Sequence, residues 1–395
     1  MTLRPPICAL LLLLPAAAPL AAQILFDPAV RSGVAVREAF ERTFADRSLP
    51  RLDCAVRTTP ARLSYDLQIY ASFEFTLPFR QFADQKRRSV LLNVFRVTPR
   101  KPAGETRWFV RRWPLPPIPE KAAVDKRLAV QLGGGFIVGP GSYDVEWLLL
   151  DGADRVCRHS WRVTARESRA ASLGIPPGLV DDDRRLMGWR GPAASEGDAR
   201  SATILLHAAP TFRRRYSTHL SWWDRRLLLT SLTNTIDRGG FASARVIVID
   251  LQRRRTLFES DNFRATDYRR LAELLADVEL ATIDYQTLAT GPSEWEFLES
   301  IVAAERQRPA ALPDALVFIA PAWREGERRR PLSSGLLEGL PRVFAVALAP
   351  FGRFSVGTVV DFARSARGRV FNVFHPPDLA SATERLRREL DAASR

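Results

Sequence analysis

The hydrophobic pattern of this 395-residue chain has a different period in its two halves, and that difference limits the folds open to it. Tyr65, Leu67, Ile69, Ala71, Phe73, Phe75 and Leu77 alternate with Asp66, Gln68, Tyr70, Ser72, Glu74 and Thr76. A period of two puts the first set on one face of a long strand. From Ala202 onward, short apolar runs instead alternate with stretches of helical spacing. Strands separated by helices give a mostly parallel sheet covered on both faces. The expected fold class is α/β plus all-β: an N-terminal β-sandwich-like domain, then a doubly wound, mostly parallel α/β domain.

Residues 1–22 read as an export signal. Arg4 supplies the charge, residues 7–14 a short apolar core, and Ala16-Ala17-Ala18-Pro19-Leu20-Ala21-Ala22 a small-residue cleavage region. The apolar run is shorter than the roughly 20 residues needed to span a bilayer. No membrane anchor is expected after cleavage, and the mature chain is expected in the periplasm or outside the cell. What remains is too long for one core, so two domains are expected. They are a β-sandwich-like domain at 23–165 with an N-terminal helical segment, and an α/β domain at 201–395, joined by a linker at 166–200.

In the first half, Val34, Phe40, Phe44 and Leu49 recur at near-helical spacing. Strands are expected at 90–98, 107–112, 128–132 and 135–138, with Gly133-Gly134-Gly135 as a turn or bulge between the last two. A hairpin at 143–150 and 155–164, joined by Asp151-Gly152-Ala153-Asp154, closes the region. Of three cysteines, Cys8 leaves with the signal. Cys54 and Cys157 remain as an even pair in an oxidising compartment, where a disulfide is the default and two separate buried thiols the alternative. Turn formers and charge fill the linker, including Gly174-Ile175-Pro176-Pro177-Gly178, Asp181-Asp182-Asp183 and Gly191-Pro192-Ala193-Ala194-Ser195. The acidic run lacks the spacing and glycine of a calcium loop and reads as solvated or helix-capping. Trp189 is expected to dock on one domain.

In the second half, a strand at 203–207 precedes a helix at 222–236 whose Leu227, Leu228, Ser231, Leu232 and Thr235 form an inward stripe, stopped by Gly239-Gly240. Strands follow at 245–251 and 256–258, then a helix at 267–277 and a strand at 279–288. The helix at 293–306 opens with a capping box, Ser293 and Glu296. Strands at 315–320 and 342–349, a helix at 356–366, a strand at 369–374 and a helix at 377–393 complete the chain.

This order of elements resembles a von Willebrand factor type A domain over residues 202–393. The stretches at 358–368, Arg369-Val370-Phe371-Asn372-Val373-Phe374 and 378–390 resemble that family's last helix, strand and helix. The whole is similar to exported bacterial proteins that pair a β-rich half with such a unit. The resemblance implies a site at the end of the first strand, where the family holds a metal with Asp-x-Ser-x-Ser, a loop Thr and a later Asp. Here His207 stands for the Asp, and Ala209 and Thr211 for the two Ser. Pro321-Ala322-Trp323-Arg324 occupies the place of the later Asp, and Thr282 or Thr287 that of the loop Thr. Hard cations need oxygen ligands that usually include a carboxylate, so neither metal nor cofactor is expected.

Other chemistry is absent by motif. There is no phosphate-cradling loop ending in Lys-Ser or Lys-Thr, no Gly-x-Ser-x-Gly elbow, and no zinc-ligand spacing among His159, His207, His219 and His375. His207 reads as a hydrogen-bonded rim residue or as a ligand contact. Trp222-Trp223 reads as a staple of its helix or as an aromatic platform. The net charge of +14 comes almost entirely from scattered arginines, since Lys86, Lys101, Lys121 and Lys126 are the only lysines. That scatter matches a salt-bridged surface, or attraction to an anionic envelope surface, better than a nucleic-acid footprint, and no nucleic acid is expected. The expected function is a non-catalytic protein-interaction module with a rim of His207, Thr211, Trp323 and Arg324, or a sheet edge of the sandwich, as contact surface. The alternative is an exported enzyme acting on an acidic polymer.

Overall fold

The computed structural model describes residues 23–82, 89–115, 125, 127–166, 176–182, 189–192, 200–211, 218–280, 291–308, 312–322, 330–332, 334–350, 352 and 357–393. The expected signal, Thr282, Thr287, Trp323, Arg324 and most of the expected strand at 279–288 lie outside the described residues. The chain is mixed α/β and β-rich, and it divides into two units, the second beginning at Leu186 and also taking in Tyr65–Leu67. No helix among the described residues is long and apolar enough to cross a membrane.

The first unit contains β1 (Ile24–Phe26), α1 (Arg31–Ala45), β2 (Ala55–Leu63), β3 (Ile69–Pro78), β4 (Ser89–Lys101) and β5 (Arg107–Leu115). It continues with β6 (Ala129–Val138), β7 (Gly141–Leu150), β8 (Val156–Ala165) and β9 (Val180–Asp182). They form a five-stranded sheet in the order β1-β5-β4-β7-β8 and a four-stranded sheet in the order β2-β3-β6-β9. All strand pairs in both sheets are antiparallel. The alternation in β3 turns Ala71, Phe73, Phe75 and Leu77 into the core between the sheets, where they meet Leu91, Phe95, Phe109, Val145 and Trp147. Fully burying one such side chain contributes about 1.5–3 kcal/mol. On the opposite face of the five-stranded sheet, Leu92, Val94, Val110, Leu148 and Leu150 pack under Val36 and Phe40 of α1. Apolar burial on both faces explains why the middle of β4 and the end of β7 lose their alternation.

Cys54 and Cys157 form a disulfide with Cα atoms 6.3 Å apart, within the range a bridge requires. Cys54 directly precedes β2 and Cys157 lies in β8, so the bond joins the two sheets at their edge strands.

Four expectations change here. Tyr65 and Leu67 do not extend β3: Leu67 adopts a left-handed backbone (φ 60°) in the turn after β2, which ends the extended pattern. Gly133-Gly134-Gly135 is neither turn nor bulge but the middle of β6, whose pairing with β3 runs unbroken from Ile69↔Val138 to Pro78↔Ala129. A Cβ on Gly133 would stand 2.6 Å from the Phe73 carbonyl oxygen, and one on Gly135 2.0 Å from the Tyr70 hydroxyl. The glycines permit close approach rather than reversal. The segment expected to be linker contributes β9, which pairs with β6 through Phe136↔Asp182 and Val138↔Val180. Asp181 and Asp182, expected to be solvated or capping, are therefore buried in a strand.

The second unit contains β10 (Ser201–His207), α2 (Trp222–Gly239), β11 (Ser243–Asp250), β12 (Arg255–Ser260), α3 (Ala265–Ala276) and α4 (Glu294–Arg306). It continues with β13 (Ala315–Pro321), the single turn α5 (Ser334–Leu337), β14 (Arg342–Leu348), α6 (Thr358–Ser365), β15 (Arg369–Val373) and α7 (Pro376–Ala393). Its six-stranded sheet has the order β12-β11-β10-β13-β14-β15. Every neighbouring pair is parallel except β11–β12. One face carries Ile204, Leu206 and Val317 against α2, α3 and α7; the other carries Leu205, Phe318 and Ala345 against α4 and α6. The sheet is thus doubly wound. The inward stripe of α2 is buried as expected, and Gly240 ends the helix in the left-handed region (φ 72°). The Ser293–Glu296 capping box is formed. Trp189 docks on this unit, donating from Nε1 to Asp237 and stacking on Phe263.

Candidate functional site

Parallel strands end together, and here the chain runs outward from β10 to β12 before crossing to β13 on the other side of β10. The carboxyl ends of β10 and β13 flank the topological switch point, the place where open α/β sheets bind ligands. His207 ends β10 and Pro321 ends β13. Ala208 bonds to the Ile249 carbonyl (2.9 Å), and Ala322 to that of Leu348 (2.8 Å). Those bonds carry the ladder one residue past each strand.

Thr211 is held from α2. Its backbone N–H and its Oγ1 both donate to Oδ1 of Asp224, at 2.8 and 2.7 Å. The other oxygen, Oδ2, accepts from Ser221 Oγ at 2.5 Å, while the Asp224 backbone N–H donates to Ser221 Oγ at 3.1 Å. Ser221 is the N-cap of α2, and a buried carboxylate in the first turn meets the positive end of the helix dipole. The Ser-x-x-Asp spacing is a cap signature, so Asp224 was findable from the chain.

His207 Nδ1 lies 3.3 Å from the Ile249 carbonyl oxygen. A carbonyl only accepts, so the neutral ring carries its proton on Nδ1 and keeps Nε2 as acceptor. Burial lowers the His207 pKa, opposed by the Ile249 bond and by the negative charges of Asp250 and Glu294. The imidazole is therefore held neutral. Among the described residues it bonds to no carboxylate. Glu294, the first residue of α4, accepts from Thr358 Oγ1 (2.5 Å), and Asp250 accepts from the Arg253 backbone N–H (3.2 Å). No group of three or more His, Cys, Asp or Glu suited to a metal ion occurs among the described residues.

His207 and Thr211 therefore share one rim, each turned onto its own scaffold. Trp323 and Arg324, which follow Ala322 in the sequence, lie outside the described residues. Trp222 is 51% exposed beneath the Arg226 guanidinium (5.0 Å to the ring centroid), whereas Trp223 is half-buried. Asp250, Glu294 and Thr358 were not legible in the chain, because they reach the rim from three elements far apart in sequence.

No family model matches this chain, and no curated protein matches it. Among solved structures, an ApaA protein from Bordetella pertussis is 7% identical, covering 30% of this chain and 99% of its own, with a TM-score of 0.18. A glycosyl hydrolase family 2 member from Bacteroides cellulosilyticus is 11% identical, covering 80% of this chain and 38% of its own, with a TM-score of 0.18. This chain thus spans well under half of that hydrolase. Similarities at this level carry no argument about fold or activity.

Proposed function

We propose that the chain is an exported, non-catalytic protein-binding module whose second unit is a metal-free relative of the von Willebrand factor type A domain. The observation that carries this reading is the engagement of Thr211. It is the one hydroxyl at the family's first-strand motif, and both its donors face inward onto Asp224. With His207 and Ala209 in the remaining positions, the rim offers a partner neutral polar contacts rather than an oxygen cage or an activated nucleophile. Strand order and a single antiparallel pair, β11–β12, support the likeness. The Cys54–Cys157 bond and the pattern of residues 1–22 support export.

The test is site-specific photo-crosslinking in cells that export the full chain. A photoreactive residue at Ala209 is expected to capture one envelope protein saturably, and one at Glu338, near the start of β14, is expected not to. Equal capture from both positions, or turnover of an acidic polymer lost on His207→Gln, overturns the reading.

A further inference from the structure

The outward face of the five-stranded sheet in the first unit changes character part-way along its strands. Under α1 it is apolar, but beyond Val94 and Leu148 the outward positions become Arg96, Thr98 and Arg100 on β4 and Glu146 and Asp144 on β7. Ser160 and Arg162 continue the change on β8. Pairing sets them side by side, with Arg96 opposite Glu146, Thr98 opposite Asp144, Glu146 opposite Ser160 and Asp144 opposite Arg162. They line a cavity of about 730 Å³.

The charges in it are arranged rather than scattered. Asp144 accepts from Arg100 Nε at 2.5 Å and from Arg162 Nε at 3.3 Å, and its carboxyl lies below the ordinary aspartate value, with these bonds opposing its desolvation. Asp144 is only 25% exposed, whereas Arg100 and Arg162 are 63% and 72% exposed. Each guanidinium is thus tethered to the shared carboxylate and turns further N–H donors to solvent. At this end of the cavity two cations meet one anion, whereas at the other end Arg96 meets two carboxylates, Glu146 and Glu41, so the excess positive charge sits locally at Arg100 and Arg162. A pre-positioned guanidinium fork matches a carboxylate or sulfate better than a mobile lysine does. At the end nearer α1, Arg96 is fixed by Glu146 (2.5 Å), by Glu41 (3.4 Å) and over the rings of Phe40 and Trp108. The hydroxyls of Thr98, Thr106 and Ser160 also line the cavity; Thr98 and Thr106 bond to each other at 3.2 Å, and each hydroxyl can both donate and accept.

We propose that this cavity binds an anionic sugar. Arg100 and Arg162 receive its carboxylate or sulfate, while the hydroxyls and Glu146 bond its hydroxyl groups. This site lies in the first unit and is independent of the reading given to the switch-point rim.

The test is calorimetric titration of the full mature chain with a galacturonate trimer, a sulfated disaccharide, a neutral galactose trimer and inorganic phosphate. An acidic sugar is expected to saturate at one site and to bind at least tenfold more weakly to the Arg100→Gln/Arg162→Gln variant. Arg388→Gln, an exposed arginine on α7, is expected to leave binding unchanged. Saturation by galacturonate alone assigns a carboxylate ligand, and by the sulfated sugar alone a sulfate ligand. Equal loss in the Arg388 variant reduces the effect to the +14 net charge and overturns the proposal. So do equal affinity for the neutral trimer, phosphate binding as tight as the acidic sugar, and no saturation by any ligand. Because Asp144 loses both partners in the double variant, Arg100→Lys/Arg162→Lys serves as a second. It keeps the charge without the fork, and full affinity in it overturns the proposal.

Discussion

Thr211 and Asp224 are joined twice, through the threonine N–H and its hydroxyl, to a single carboxylate oxygen. Asp224 is buried and accepts from Ser221 as well, so its loss orphans three donors at once. Asp224→Ala is expected to destabilise the second unit by about 2–3 kcal/mol, and Thr211→Val by about 1 kcal/mol. Urea denaturation followed by tryptophan fluorescence measures both. The same pairing predicts that calorimetric titration with magnesium, calcium or manganese finds no saturable site and no rise in Tm. A stoichiometric magnesium response abolished by Thr211→Ala would show a living site at this rim.

His207 makes the stability of the second unit depend on pH. Burial holds its folded pKa below the ordinary histidine value of about 6.5, so the unfolded chain binds the proton more tightly. The resulting stability is fully present above about 6.5 and is lost as the pH falls from there toward the lowered folded value. The slope in that window is at most one proton, about 1.4 kcal/mol per pH unit. Denaturation midpoints at pH 7.5, 6.5 and 5.5 are expected to fall more steeply for the native chain than for His207→Gln. Parallel curves would rule out this linkage.

The Cys54–Cys157 bond closes a loop with a sequence separation of 103. In the chain-entropy model a loop of that length contributes about 4.7 kcal/mol. The Cys54→Ser/Cys157→Ser variant is expected to lose up to about that much from the first unit and little from the second. Melting curves read with a near-ultraviolet signal follow both. Two titratable thiols in the unreduced protein would contradict the bond itself.

Gly133 and Gly135 are expected to tolerate side chains poorly. A Cβ at Gly133 meets a backbone oxygen that cannot rotate away, whereas one at Gly135 meets the Tyr70 ring. Gly133→Ala is expected to cost about 1–3 kcal/mol. At Gly135, Ala combined with Tyr70→Ala is expected to recover part of the loss, because the obstacle is a side chain. Double-mutant analysis of chemical denaturation checks the coupling.

Much of the architecture was legible because each element carries its own local signal. The alternation of Phe73, Phe75 and Leu77, the Ser293–Glu296 box and the Gly239-Gly240 stop report backbone conformations set within a few residues. The rim was half legible. His207 and Thr211 stand where an apolar strand ends, but their partners Ile249 and Asp224 come from β11 and α2.

The sequence by itself determined most of the strands and helices of the second half, that the period changes from two to strand–helix alternation, and that Cys54 and Cys157 are an available pair. Those properties follow from side-chain spacing and backbone preference. Only the tertiary structure decided that Gly133-Gly134-Gly135 runs straight through β6 and that Asp181 and Asp182 are buried in β9. The Thr211 hydroxyl likewise faces Asp224 rather than solvent only in the folded chain. A glycine run or an acidic run has no conformation of its own, because without apolar periodicity neither element specifies a face. The neighbouring strand, Phe73 and Tyr70 in one case and Phe136 to Val138 in the other, supplies the ladder bonds and close contacts that select it.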